Sequence, residues 1–206
     1  MKIRAAIARF VRGLLRSSKA ANARRMRRRG EDPSAFAIRD AREDEIPALA
    51  RLHVITWNDT YPGVRRPPTV ALRERQWREK FAAAEPGWFC LVAERGDGEL
   101  VGFAQGNRYS SADQPDYAGQ LNKIYLLREY QRLGLGRRLM GHAARRFLAD
   151  GVGSMLLFAD EGNPSLRFYA ALGGENLVAP DGTVSPANFG WKDLRALAER
   201  CPVEFD

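Results

Sequence analysis

The 206-residue sequence has only two cysteines, Cys90 and Cys201, which are isolated and lack metal-ligand spacing. A disulfide framework and a cysteine-based metal site are therefore not expected, and a reducing, cytoplasmic compartment suits both thiols. No run of roughly 18 or more apolar residues occurs, so a membrane-spanning helix is not expected. Acidic residues are missing from one end: residues 1–30 hold eleven Lys or Arg and no Asp or Glu. The net charge of +8 thus belongs to a tail, and residues 31–206 carry 22 basic against 25 acidic side chains, a balance of −3. A body of that balance has no nucleic-acid footprint. What remains, 45% hydrophobic and 28% charged, suits one soluble domain with a proper core.

The tail divides in two. Ile3, Ile7, Phe10, Val11, Leu14 and Leu15 fall at helical spacing, with Lys2, Arg9, Arg12 and Arg16 mostly outside that stripe. Residues 20–29 are small residues and arginines ending at Gly30, Asp32 and Pro33. Arg12 breaks the apolar core that a secretory signal needs. Three readings of this stretch stand: a helix on an anionic membrane surface through residues 1–20, a partner-binding or nucleic-acid-contacting arm, or a disordered extension, for which Met26 is an alternative start. The expected organisation is an extension over 1–33 and a folded domain over 34–206.

Within that domain, residues 35–39 read as a strand, 43–57 and 70–84 as helices, and 88–94 with 100–108 as a hairpin around Gly96-Asp97-Gly98. Residues 110–118 read as a loop, 120–127 as a strand, 134–149 as a helix and 154–159 as a buried strand. A helix over 164–172 ends at Gly173-Gly174, and two weak strands follow at 175–178 and 184–191. Helices mixed with hairpins predict an α/β fold with a mixed sheet.

The segment Gln131-Arg-Leu-Gly-Leu-Gly136, between a strand and a helix, carries the chemistry. Amides at a helix start lack partners and meet a positive dipole end, and glycine lets an oxyanion approach the main chain. Together these make a phosphate cradle, to which Arg132, Arg137 and Arg138 can add charge. A Rossmann fingerprint fails because its third glycine position is Leu139, and the Lys-Ser/Thr of a P-loop is absent. On these residues alone, a plain strand-to-helix turn stands beside the cradle.

Gln131-Arg-Leu-Gly-Leu-Gly136 resembles the acyl-CoA-binding motif of the GNAT superfamily of N-acyltransferases. Ile124-Tyr125-Leu126 is similar to that family's fourth strand, residues 163–173 to its second conserved block, 52–63 to its first helix and turn, and 190–194 to its closing stretch. The resemblance implies a twisted mixed sheet of six or seven strands, with strands four and five splayed around the pantetheine arm of acetyl-CoA as co-substrate. It assigns that arm to the main chain near Tyr125, Leu126 and Leu127 and to Asn163. The pyrophosphate falls to the amides of Arg132, Leu133, Gly134, Leu135, Gly136 and Arg137. No metal is implied.

Acetyl transfer to an amine needs a proton removed from the amine and one given to the leaving thiolate. The resemblance favours Tyr169 as that acid; on spacing alone, Tyr169 reads equally as a packed aromatic beside Leu166, Ala170 and Gly173. Many members carry Glu where this chain has Gln120, which takes up no proton near neutral pH. Gln120 is thus expected to orient water or acceptor, with Asp160, Glu161 or His53 reached through water. Their bland readings are a solvated strand end and a packed histidine. Trp57, Tyr61 and the 109–117 loop, with Asp113 and Asp116, would line the acceptor side. The reading is an N-acetyltransferase acting on a small-molecule or protein amine. A silent acyl-CoA-binding module and a membrane-associated adaptor are the alternatives.

Overall fold

The computed structural model describes residues 19–203, so the stripe over residues 3–15 lies outside the described residues. The strands are β1 (Ala37–Asp40), β2 (Phe89–Glu94), β3 (Leu100–Arg108), β4 (Gly119–Leu126), β5 (Met155–Leu157), β6 (Glu175–Val178) and β7 (Val184–Trp191). The helices are α1 (Lys19–Arg29), α2 (Ile46–Thr60), α3 (Val70–Ala82), α4 (Leu135–Ala149), α5 (Leu166–Ala171) and α6 (Leu194–Arg200). The strands form one seven-stranded sheet in the order β1-β2-β3-β4-β5-β7-β6. Neighbours run antiparallel except β4 and β5, which run parallel. This is the expected mixed sheet.

β2 shows why the sheet is covered on both sides. Successive side chains of a strand face opposite ways. Phe89, Leu91 and Ala93 enter the core under α4, while Cys90 and Val92 enter the core under α2 and α3. Leu135, Leu139, Ala143 and Phe147 of α4 recur every fourth residue and are fully buried against the first face. Gly106 and Gly119 admit the Phe147 ring, because a Cβ at either would lie 2.8 Å from it. On the other face Pro47 sits in the first turn of α2, and Thr69 Oγ1 caps α3 by accepting the Leu72 N–H at 3.2 Å.

The end helices were not expected. α6 is capped by Asp193, whose Oδ1 accepts the Arg195 N–H at 2.8 Å. α1 turns the arginine run into a helix docked on the body. Its Met26 is buried in the core, and Asn22 Nδ2 donates to the carbonyls of Arg128 and Gln131, both at 2.9 Å. Arg25 and Arg29 pair with Glu129 at 3.1 and 3.2 Å. No helix among the described residues is long and apolar enough to cross a membrane.

Candidate active site

β4 and β5 pair only at Gly119–Met155 and Gln120–Leu156. β5 then stops at Leu157, while β4 runs on to Leu126 beside β3. The two strands therefore diverge, leaving one edge of β4 open. Leu127 N–H donates to Val101 O at 2.9 Å, toward β3. Antiparallel alternation then turns the Tyr125 amide toward β3 and the main chain of Ile124 and Leu126 toward the gap. This narrows the expectation: of Tyr125, Leu126 and Leu127, only Leu126 offers main-chain groups to the gap, and Ile124 joins it. Gln131 Nε2 donates back to Leu126 O at 3.0 Å, fixing the start of the following loop.

That loop enters α4 through two left-handed residues, Arg132 at φ +65° and Gly134 at φ +92°. Such a conformation costs a non-glycine residue, so the turn at Arg132 is strained. The first helical bond is Arg138 N–H to Gly134 O at 3.1 Å. Among the described residues, the amides of Arg132, Leu133, Gly134, Leu135, Gly136 and Arg137 have no acceptor. A row of free N–H groups thus stands at the positive end of a 15-residue helix, beside the end of β4, where a Cβ on Gly136 would lie 3.6 Å from Leu126 Cδ1. The cradle fits a pyrophosphate.

The arginine side chains depart from expectation. Arg138 is buried and donates through Nε to Val203 O at 2.7 Å, and Arg137 donates to Arg200 O. Both anchor the C-terminal segment. Arg132 is exposed and stays at the loop.

Beyond the gap, Asn163 Nδ2 donates to the Tyr61 hydroxyl at 3.3 Å, and Tyr61 packs against Trp57 with ring centroids 5.3 Å apart. Asn163 Oδ1 accepts the Ser165 N–H at 2.8 Å, so α5 starts at Leu166, two residues later than the Asn-Pro pair suggests. Tyr169 is buried, and burial first, then Tyr125 and Tyr61, push its hydroxyl above the usual tyrosine range. Burial, then Tyr61, raises Tyr125 to about 12. Three protonated phenols, Tyr61, Tyr125 and Tyr169, thus lie within electrostatic reach of one another. Gln120 sits apart, at the last β4–β5 pair.

The candidate acids and bases sort differently. Asp113 accepts the Tyr109 hydroxyl at 2.8 Å, and Asp116 pairs with Lys192 at 2.6 Å, so both loop carboxylates already have partners. Asp160 and Glu161 are exposed. His53 is 2% exposed, and burial, then Arg73 and Lys123, lower its pKa from 6.5 to about 3, which makes it a poor base. Its folded pKa lies below its unfolded one, so its contribution to stability is intact above pH 6.5 and is lost as pH falls toward 3. Acidification from about pH 6.5 to about pH 5 should cost roughly 2 kcal/mol through His53 alone. His53→Leu should flatten that part of a denaturant-melt series; His142, half-buried and shifted the same way, should contribute less.

A further group, not anticipated from the sequence, shares the strand face of Tyr125. Lys123 lies two residues before it on β4, donates to Gln105 Oε1 at 3.1 Å and sits 5.7 Å from the Trp77 ring centre. Burial, then Lys80 and Arg73, lower its pKa to about 8. The signal was present: positions 123 and 125 share a strand face, and 73, 77 and 80 share a helix face.

Residues 46–173, from the start of α2 to two residues past α5, match the model of the Acetyltransferase (GNAT) family. The chain belongs to that family. The acetyltransferase is 32% identical over 167 residues to an uncharacterized N-acetyltransferase, YuaI, of Bacillus subtilis, covering 78% of this chain and 95% of YuaI. It is 27% identical over 124 residues to phosphinothricin N-acetyltransferase of Streptomyces viridochromogenes, covering 58% of this chain and 64% of that enzyme. In fold it is similar to the PaiA N-acetyltransferase of Thermoplasma acidophilum, solved with coenzyme A (18% identity, TM-score 0.56, 75% and 97% of the two chains). It is also similar to a phosphinothricin acetyltransferase of Sinorhizobium meliloti, solved with acetyl-CoA (20% identity, TM-score 0.56, 76% and 88%).

Proposed function

We propose that this acetyltransferase moves an acetyl group from acetyl-CoA to a primary amine by direct attack in a ternary complex. What supports the reading is the short β4–β5 pairing, which leaves β4 open beyond Gln120, together with the unpartnered amides of the loop that leads from β4 into α4. Acetyl-CoA, when bound, supplies the thioester whose carbonyl carbon the amine attacks and whose C–S bond breaks. The amides of Arg132, Leu133, Gly134, Leu135, Gly136 and Arg137 hold the pyrophosphate. Leu126 and Ile124 offer main-chain groups to the pantetheine arm, with the Asn163 side chain near its reactive end.

Tyr169 gives its hydroxyl proton to the leaving thiolate sulfur. Burial keeps it protonated well above neutral pH, as the role requires. The ammonium proton leaves through water, with Gln120 ordering water or acceptor from the closed end of the gap. Trp57 and Tyr61 line the acceptor side. A thiol-release assay with acetyl-CoA and a panel of primary amines tests the proposal. Acceptor-dependent release of CoA is expected. Tight CoA binding with no release across the panel would leave a silent binding module.

A further inference from the structure

A second cavity, of about 480 Å³, opens between α2, α3 and β4. His53 comes from α2, Arg73, Trp77 and Lys80 from α3, and Lys123 from β4. Gln76 and Glu79 complete the polar part of its wall, so three cations meet one carboxylate. His53 and Trp77 are each 2% exposed. His53 Nδ1, Arg73 Nε and Trp77 Nε1 are buried without a hydrogen-bond partner. Arginine Nε and indole Nε1 only donate, so both atoms call for an acceptor that the protein does not supply. An unmatched buried donor is costly and marks a place where a ligand atom belongs.

The cavity adjoins the reaction centre. The His53 ring lies 5.5 Å from the Tyr125 ring, and Arg73 acts electrostatically on Tyr125. Tyr125 in turn acts on Tyr169. A ligand spanning the cavity would have one end among cations and donors and the other near the phenols. The cations exclude a polyamine or a second ammonium group from the inner end. They also disfavour the charged form of an amine held nearby, which eases the proton loss that Gln120 cannot assist.

We propose that the acceptor is an amino acid or a close analogue, with its carboxylate held by Arg73 and Lys123 and the Trp77 indole N–H, and its amine turned toward Tyr125. This rests on the acetyl-transfer reading for the amine, but not for the anion site. Arg73 offers Nε directly while its Nη1 donates to Gln76 Oε1 at 2.9 Å, a contact that holds the guanidinium in place.

The test uses the full chain and two readouts. In the first, the Trp77 indole N–H resonance, assigned with Trp77→Phe, is followed during titration with N-acetylglycine and with N-acetylglycinamide. The carboxylate should shift the resonance, the amide should not, and Arg73→Gln should remove the shift. In the second, amine acceptors paired as free acid and primary amide are compared by thiol release. The acids should be favoured by roughly 10- to 100-fold in kcat/KM, and Lys123→Met should erase most of that preference through KM. Acetyl-CoA affinity should be unchanged in both variants. An indole resonance equally indifferent to acid and amide overturns the anion site, whether or not turnover is seen. A carboxylate-dependent shift without acetyl-CoA binding would keep the anion site and reject the acetyl-transfer reading instead.

Discussion

Gly136→Val is expected to weaken acetyl-CoA binding by roughly 100-fold or more while the domain stays folded. Six free amides gather at the start of α4 among the described residues, and an isopropyl group in their midst would hold oxyanions out of bonding range. Losing two charge-assisted hydrogen bonds costs about 3–5 kcal/mol, and each ~1.4 kcal/mol is tenfold in affinity. A Cβ is accommodated at this position, where it would lie 3.4 Å from the Phe168 ring and 3.6 Å from Leu126 Cδ1, and the melt shows whether the two further methyl groups of valine are tolerated. Gly136→Ala should accordingly lose far less affinity. Gly134 differs: its φ of +92° strains any side chain, so its substitution moves the loop itself. Calorimetry with acetyl-CoA, beside a thermal melt of each variant, separates the two effects.

Tyr169→Phe is expected to lower kcat by roughly 100- to 1,000-fold and to leave acetyl-CoA affinity within a factor of two or so. The ring is buried beside Phe168 and Phe189, with centroids 5.6 and 5.7 Å away, and phenylalanine keeps that packing. In the proposed mechanism, what goes is the proton for the departing sulfur. Without that proton the coenzyme sulfur departs as the poorer, unprotonated leaving group, so the loss should appear in turnover rather than in binding. Tyr125→Phe provides the comparison. Its hydroxyl is also held protonated, and a larger loss there than at Tyr169 would move the acid role to β4.

The elements with strong periodicity were readable from sequence, and the weakly patterned ones were not. β2 and β3 alternate apolar residues on both faces, and α4 repeats its core positions every fourth residue. α1 shows no such stripe: its buried side chains are Asn22 and Met26, and its docking depends on Asn22 bonds to carbonyls more than a hundred residues away. α6 has seven residues, too few for a periodic signal. Asn163-Pro164 imitates a helix start because Asn163 does bond a downstream amide, that of Ser165, in a turn preceding the helix. Charge was readable but direction was not. Arg137 and Arg138 directly follow the motif that holds Arg132, yet the C-terminal segment claims both. The α3–β4 cavity was hidden for the same reason, since it joins residues about fifty positions apart.

All of the proposed chemistry depends on the amides at the head of α4 gripping the linked phosphates of acetyl-CoA. Calorimetry of the full chain with acetyl-CoA and, separately, with S-acetylpantetheine tests it most directly, since the second ligand keeps the thioester and the pantetheine arm but lacks the pyrophosphate. Acetyl-CoA should bind with a Kd of roughly micromolar order and S-acetylpantetheine at least ~100-fold more weakly. Equal affinity for the two, or no heat from acetyl-CoA even at millimolar concentration with well-folded protein, would contradict it.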